Sequence, residues 1–284
     1  MANVRAIRTR IKSVQSTQKI TKSMKMVAAA KLKRTQQSMT SLRPYADAAR
    51  QMLQRVGTDP EARQNIYLTP REVKRVCYVL FVGNRGLCGV YNTALLKYME
   101  ALAERETRPF SVLVVGRWGR DLLAASGLPI GETMENISDA PSPQEARTLG
   151  EKLKAMYSGG EADEIVLVYE RYCSALRQEP ESRILLPLTA EEAGVRQTEY
   201  LIEPDAAALV AQLGELYLDS VIYATLLEAR TGEHSARMTA MTAASDNTEQ
   251  LLGKLNLQLN HARQATITTE ISEIVGGANA LNAK

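Results

Sequence analysis

Two long helical runs at the ends of this 284-residue chain constrain its fold more than any other feature. The first covers residues 4–56 and the second covers residues 205–281. With a rise of 1.5 Å per residue, the two runs span about 80 Å and about 110 Å. The residues between them form a domain with a radius of gyration of only about 14 Å. We therefore expect part of each helix to extend beyond that domain, as in a shaft, a spacer or a scaffold.

The first run carries an apolar seam with the alternating three- and four-residue spacing of a coiled coil. Polar exceptions cluster at Gln18, Thr21 and Lys25. There we expect the seam to shift onto Met24 and Val27. The seam positions are Val4, Ile7, Ile11, Val14, Ala28, Leu32, Thr35, Met39, Leu42, Ala46, Ala49, Leu53 and Val56, together with the three exceptions.

Three local features modify this picture of the two helices. Pro44 is expected to kink or break the first helix near Arg43. In the second run, residues 228–237 are polar nearly all round and include Gly232. Such a segment is expected to bridge solvent or to be covered by another chain. Beyond it lies an apolar tip that is expected to insert into a partner, formed by Ile267, Ile271, Ile274, Val275 and Leu281.

The middle of the chain alternates between strand-like and helix-like segments. Predicted strands are residues 73–82, 110–115, 164–172 and 182–188, and predicted helices are 90–105, 116–126 and 142–158. This alternation predicts an α/β fold with a largely parallel sheet and helices on its faces. The full prediction is a long antiparallel coiled coil of the N- and C-terminal helices plus a central Rossmann-like α/β domain. The domains are 1–56, 57–204 and 205–284, and the central one includes entry and exit linkers at 57–70 and 188–204.

Charge is distributed unevenly along the chain, although the net charge is only +3. Residues 1–56 hold 13 Lys or Arg and one acid, Asp47, which gives 13 − 1 = +12. The rest holds 35 − 13 = 22 basic and 32 − 1 = 31 acidic residues, which gives −9. Opposite charges suit an antiparallel helix pair, and the basic face also suits an acidic partner surface.

Several classes of site are disfavoured by the residues themselves. Cys77, Cys88 and Cys173 lack paired spacing, which argues for a reducing compartment and against a zinc site. The only histidines, His234 and His261, are 27 positions apart on one predicted helix, so no metal site or Ser/His/Asp set can be assembled. We predict no catalytic, metal-binding or cofactor-binding residue. No apolar run approaches the roughly 18 residues that a membrane span requires.

The sequence offers two candidate binding functions, a phosphate site at a glycine-rich turn and nucleic-acid binding by the basic helix, and each has a purely structural alternative. Gly83, Gly86 and Gly89 follow a strand and precede a helix, where backbone N–H groups can cradle a phosphate. Their spacing matches neither common nucleotide fingerprint, so a tight turn is favoured. Nucleic-acid binding by the basic helix is also disfavoured, because the cations are interleaved with the seam and no aromatic residue precedes Tyr45.

The same segments resemble a known family. Residues 10–34 are similar to the N-terminal helix of the gamma subunit of the rotary proton-translocating ATP synthase. Residues 236–252 and 260–281 resemble the C-terminal helix of that family. Its central domain is matched by GNRGLCG, VGRWGRDLL, RQEP, LLPL and YLIEPD.

This resemblance implies a central rotor shaft that performs no bond chemistry and needs no cofactor. The paired helices would turn inside a ring of alternating alpha and beta subunits. The α/β domain would form a foot that contacts the membrane c-ring and holds the epsilon subunit. Neither nucleic-acid binding nor direct membrane insertion is implied. The expected location is the cytoplasmic side of a bacterial cell membrane, as a peripheral subunit.

The resemblance also assigns partner contacts. Positions that face the beta subunits in the family are matched by Met24, Lys25, Arg263, Gln264 and Thr268. Positions of the foot that meet the membrane ring are matched by Tyr200 and Glu203. The basic face is expected to meet acidic beta-subunit loops, so charge reversal at Lys31, Lys33 and Arg34 should lower coupling.

One departure from the family concerns the glycine-rich turn. Asn84 stands where many relatives carry an acid, which leaves a polar role at that position in doubt.

Overall fold

The two terminal helices are present as predicted. The computed structural model describes residues 2–56, 64–69, 71–118, 126–135, 137–188 and 205–282. Helix α1 spans Ala2–Val56 and helix α4 spans Ala206–Asn282. The expected break at Pro44 is wrong, because α1 continues through it. Buried Ala49 and Leu53 in the following turns hold the helix against the core, which offsets the backbone hydrogen bond that proline cannot make.

The central sheet has five strands in the order β3-β2-β1-β4-β5. The first four strands in that order are mutually parallel, and β5 is antiparallel to β4. This confirms a doubly wound, largely parallel sheet. The strands are β1 (Val76–Phe81), β2 (Phe110–Val115), β3 (Ile130–Met134), β4 (Glu164–Tyr172) and β5 (Gln178–Leu186).

Two strands differ from the sequence-based expectation. The edge strand β3 was not predicted, because IGETM is short and half polar and none of its residues is fully buried. Strand β5 begins at Gln178 rather than at Ser182, because its first residues pair with the end of β4. Most of the predicted helix 116–126 and of both linkers lies outside the described residues.

Helices cover both faces of the sheet. Alternate residues of β1 point to opposite faces, as the two-residue period of a strand requires. Cys77, Val79 and Phe81 join one apolar core with α1, α4 and helix α3 (Pro143–Ser158). The other face packs against helix α2 (Tyr91–Arg105). Both terminal helices therefore contribute residues to the core of this domain.

By their internal contacts, the residues divide into two units. The helical unit contains Met1–Val27 and Ala240–Lys284, and the sheet unit contains Ala28–Thr239. The domain boundaries predicted from the sequence follow the helix ends instead, and they stay a prediction.

Within the helical unit, α1 and α4 run antiparallel, so that Val4 lies beside Thr266. The predicted seam is largely confirmed, and even the polar Thr21 is buried. Around Lys25, which is exposed, the seam passes to half-buried Met24. The expected shift onto Val27 is wrong, because that side chain is 54% exposed.

Candidate functional site: a buried charge cluster and a cationic helix face

The carboxyl ends of β1 and β4 border the topological switch point, where doubly wound sheets bind their ligands. In this protein, residues 228–237 of α4 occupy that position. The backbone N–H of Tyr172, at the end of β4, donates to the Glu228 carboxylate at 3.0 Å. From the opposite side, Tyr91 Oη donates to Ala229 O at 2.8 Å. The chain's own helix therefore fills the crevice that a ligand would otherwise enter.

Three charged side chains of α4 form a buried group that we call the charge cluster: Arg230, Glu233 and Arg237. The Glu233 carboxylate accepts hydrogen bonds from both guanidinium groups, each at 2.7 Å. Arg230 is 2% exposed and Glu233 is 1% exposed. Burial by itself raises the pKa of Glu233, but the two guanidinium groups outweigh it and hold the pKa below its ordinary value. The carboxylate therefore stays ionised, which satisfies the rule that buried charges are paired.

The charge cluster binds the turn that follows β1. Asn84 is one of the acceptors, so this side chain has a polar role in the present chain. The hydrogen bonds run from Arg230 to Val82 O (3.1 Å) and Asn84 Oδ1 (3.0 Å), and from Arg237 to Arg85 O (3.0 Å) and Gly86 O (3.3 Å).

The glycine-rich turn is engaged in packing. Gly83 N–H donates to Asn92 Oδ1 at 2.9 Å, so this donor is already used. A Cβ added at Gly83 would lie 3.1 Å from the carboxylate carbon of Glu233. A phosphate at that place would meet an ionised carboxylate. The geometry thus favours the tight turn over the phosphate cradle.

On another side of α4, Asp139 connects both terminal helices to the segment after β3. Its carboxylate accepts from Lys31 Nζ of α1 at 2.5 Å, and its backbone carbonyl accepts from His234 Nε2 of α4 at 2.8 Å. Burial opposes ionisation, but hydrogen bonds from Lys31 and Asn84 lower the pKa of Asp139 to about 2. Burial also lowers the pKa of His234, which keeps the imidazole neutral.

The Lys31 contact corrects one sequence-based expectation. Lys31 was placed on the basic face that meets an acidic partner, together with Lys33 and Arg34. Its ammonium group is instead paired with Asp139 inside the chain. Lys33 and Arg34 are exposed, in agreement with the expectation.

The turn between β4 and β5 contacts α4 as well. Ser235 Oγ donates to Ala175 O at 2.8 Å, and Thr239 Oγ1 donates to the same oxygen at 3.3 Å. The expectation that residues 228–237 bridge solvent or another chain is therefore wrong. Their polar side chains each have a hydrogen-bond partner in this chain, although the second ring nitrogen of His234, Nδ1, has none among the described residues. Gly232 and Ser235 were the features of the sequence that could have indicated burial of this segment. Small residues permit a close approach of backbones.

The helical unit carries a cationic face on α1. All seven Lys and Arg residues between positions 4 and 27 are exposed: Arg5, Arg8, Arg10, Lys12, Lys19, Lys22 and Lys25. Among the described residues, no carboxylate forms a salt bridge with them. This face is therefore available to an acidic partner.

The residues predicted to contact beta subunits fall into two separate groups. Met24 is half-buried and Lys25 is exposed on α1. The second group, Arg263, Gln264 and Thr268, is exposed on α4, where Thr268 Oγ1 donates to Gln264 O at 2.9 Å.

These two groups are not adjacent. Arg263 lines a groove with Arg5 and Arg8 of α1. At 1.5 Å per residue, Lys25 lies about 25 Å further along α1 than Arg8. The predicted contact residues therefore lie in two distinct regions rather than in one. The predicted ring contacts Tyr200 and Glu203 lie outside the described residues.

The tip of α4 exposes apolar side chains. Ile267, Ile271, Ile274 and Val275 are all at least half exposed, while the Leu281 side chain lies outside the described part. Among the described helices, none combines the length and the apolar composition that a bilayer crossing requires.

Comparison with known proteins identifies the class to which this arrangement belongs. A family model described as ATP synthase matches residues 3–281. The ATP synthase gamma chain of Desulfitobacterium hafniense is 41% identical over 281 residues, covering 99% of this chain and 100% of the relative. That of Moorella thermoacetica is 42% identical over 283 residues with the same coverage. The chain therefore belongs to the ATP synthase gamma chain family.

Solved structures agree with the fold. A chain of the Euglena gracilis mitochondrial ATP synthase (OSCP/F1/c-ring, rotational state 3) matches with a TM-score of 0.73. The match is 22% identical and covers 99% of this chain and 95% of that one. A chain of the Tetrahymena thermophila mitochondrial ATP synthase central stalk and c-ring matches with a TM-score of 0.61 at 25% identity, covering 80% and 99%. The fold of this chain is thus shared with these two chains.

Proposed function

We propose that this chain is the central rotor shaft of an ATP synthase. It couples ion-driven rotation of the membrane ring to the conformational cycling of the catalytic beta subunits. The observation that carries this proposal is the full-length match to bacterial gamma chains, which includes both terminal helices. Its partners are the alpha and beta subunits, the epsilon subunit and the c-ring. It works at the cytoplasmic side of the cell membrane as a peripheral subunit.

The subunit is proposed to be non-catalytic. Two features of the sheet unit support this. The crevice at the switch point is filled by α4, and the donor at Gly83 is committed to Asn92. The charged groups of the crevice are hydrogen-bonded to one another and to the turn after β1, so they serve the packing of the helix rather than a substrate.

The cationic face and the exposed part of α4 are proposed as the contacts with beta subunits. Lys25, together with Met24, would face acidic loops at one level, while Arg263, Gln264 and Thr268 would act at another. Exposed ion pairs are each worth only about 0–1 kcal/mol, so such contacts orient the shaft without trapping it. Tyr200 and Glu203 remain proposed contacts with the membrane ring.

The proposal is tested by co-expressing the chain with alpha and beta subunits, followed by sizing and an ATP hydrolysis assay. The complete enzyme is then reconstituted in vesicles, and ATP synthesis driven by an ion gradient is measured. We expect the chain to co-purify with the other subunits and coupled synthesis to require it. Full coupled synthesis by an enzyme assembled without it would refute the proposal.

Charge reversal on α1 separates partner contacts from internal ones. Lys33→Glu with Arg34→Glu should lower coupling while the melting temperature of the isolated chain stays unchanged, because both side chains are exposed. Lys31→Glu should lower the melting temperature as well, because it places a carboxylate beside Asp139. Unchanged coupling in the Lys33/Arg34 variant would count against an acidic partner at this level of α1.

A further inference from the structure

At one level of the sheet unit, polar contacts hold α4 from several directions. The turn after β1 holds it through the charge cluster, and α2 holds it through Tyr91. The β4–β5 turn holds it through Ser235, and the segment after β3 holds it through His234. Four different elements therefore contact about three turns of one helix.

Helix α1 is bound to the same elements. Lys31 reaches the carboxylate of Asp139, whose backbone carbonyl accepts from α4. Five residues further on, Gln36 Nε2 donates to Tyr172 Oη, at the end of β4, at 2.8 Å. Asp139 is thus a shared point of attachment for both terminal helices.

These contacts differ physically from the apolar core. Hydrophobic packing is non-directional, so apolar contacts alone fix the rotational position of a helix less sharply than hydrogen bonds do. Hydrogen bonds weaken steeply when their angle changes. Turning Glu233 away from Arg230 and Arg237 would leave buried charges without partners, which is costly. The polar contacts therefore select a single rotational position of α4 relative to the sheet.

We infer that the charge cluster and the Lys31–Asp139 pair form a helix clamp. This clamp locks α1 and α4 against rotation relative to the sheet, so that torque applied to the sheet unit passes into the helices without slipping. The inference rests on the proposed rotor function and adds to it the residues that transmit the load. It also accounts for the use of buried charges where apolar side chains would pack at lower cost.

The clamp is tested in the complete enzyme reconstituted in vesicles, where ATP hydrolysis pumps ions against a set gradient. Glu233→Gln removes the charge that joins the two arginines and keeps the side-chain shape. The matched control is Glu179→Gln. Glu179 also lies between two arginines, Arg171 and Arg177, but on the exposed β4–β5 hairpin, where its carboxylate pairs with these arginines rather than with a residue of α4.

The measured quantities are the unloaded hydrolysis rate and the steepest gradient against which the enzyme still pumps. We expect Glu233→Gln to lose pumping against steep gradients while its unloaded hydrolysis equals that of Glu179→Gln. A purely structural role would lower the melting temperature and the amount of assembled enzyme, but not the gradient limit per assembled enzyme. Equal gradient limits for the two variants would overturn the clamp.

A second set of variants decides the question if Glu233→Gln does not assemble. Lys31→Met and Asp139→Asn each remove one member of a half-exposed pair. If the pair transmits load, each single variant lowers the gradient limit and the double variant is no worse than either one. Normal limits in both single variants, or additive losses in the double variant, would contradict the proposal. If the wild-type chain supports no pumping at all, the rotor function fails instead, independently of the clamp.

Discussion

Two buried glutamates at the carboxyl edge of the sheet show how neighbouring groups decide the protonation state of a side chain. Glu233 lies between two guanidinium groups, which keep its pKa low. Glu170, on β4, is only 3% exposed, and burial raises its pKa to about 7. Among the described residues, no cation offsets that burial. Near neutral pH the same type of side chain is therefore fully ionised in one place and only partly ionised in the other.

Stability should fall as pH rises through the range in which Glu170 ionises. The folded state holds this proton more tightly than the unfolded chain, whose glutamate has a pKa of 4.5. The stabilising proton is fully bound below pH 4.5 and is lost as pH rises through about 7. Glu170→Gln should remove this pH dependence, whose total over the titration range is at most about 3.5 kcal/mol at about 1.4 kcal/mol per pKa unit.

Urea unfolding of the isolated chain at pH 5 and pH 8, followed by circular dichroism, measures the difference. The control is Glu179→Gln. In the wild-type chain, hydrogen bonds from Arg177 and Arg171 lower the pKa of the Glu179 carboxylate. The stability from that exposed residue is lost as pH falls instead. Parallel pH profiles for the wild-type chain and Glu170→Gln would show that Glu170 does not titrate as described.

Two of the three glycines in the β1–α2 turn, Gly83 and Gly86, provide a matched pair of variants. Gly83→Ala should destabilise the sheet unit by about 1–3 kcal/mol, the usual cost of overpacking. Its Cβ would lie 3.0 Å from Asn92 Oδ1 and 3.1 Å from the Glu233 carboxylate carbon. Gly86→Ala should be nearly neutral, because the nearest atom, Trp118 Nε1, is 3.7 Å away. Thermal unfolding measures both, and equal melting temperatures would argue against the tight contact at Gly83.

At the scale of elements, α4 is one helix in two environments. In the sheet unit its sides face α1, α2, the strand ends and the turns, and even charged residues are buried. In the helical unit it has only the seam with α1, and most of its other side chains are exposed. The helix assignment is the same in both units, but the cost of a substitution differs between them.

Glycine-to-alanine substitutions test this difference. Gly150 of α3 faces α4, and a Cβ there would lie 2.6 Å from Asp219 Oδ1 and 3.3 Å from Ile222 Cδ1. Gly150→Ala should therefore destabilise the chain by about 1–3 kcal/mol, even though alanine favours helices. Gly253→Ala on α4 meets no atom within 4 Å and should stabilise by up to about 1 kcal/mol. Thermal unfolding of both variants measures these stability changes. A stabilised Gly150→Ala protein would contradict the close packing of α3 on α4.

For the whole molecule, the main expectation concerns independent folding. The sheet unit contains the apolar core on both faces of the sheet, to which the last residues of α4 contribute nothing. Deleting residues 273–284 should leave the protease-resistant sheet unit intact and weaken assembly or torque in the complete enzyme. Limited proteolysis with mass spectrometry of the fragments tests this expectation. A sheet unit that becomes protease-sensitive after the deletion would mean that the chain folds as one cooperative body.

Much of this structure could be predicted, because the deciding signals are local. The spacing of Ile11, Ala28 and Leu32 predicts a helix and the side that it buries. The alternation of strands and helices predicts a doubly wound sheet. Local signals did not predict β3. This strand is short and partly polar, and it is a strand because it pairs with β2. Local signals also do not decide whether the helix ends at Pro44, where α1 continues because packing of the following turns offsets a lost hydrogen bond.

The sequence by itself determined the two terminal helices, their seam, the α/β class of the centre and membership of the gamma chain family. These follow from periodicities and motifs that are complete within short stretches of the chain. Only the tertiary structure decided that residues 228–237 are buried and that Lys31 pairs with Asp139. The partners of these polar groups are up to about 150 positions away in the sequence. A hydrogen bond or ion pair exists only when folding brings both members together, so no single stretch of sequence carries its signature.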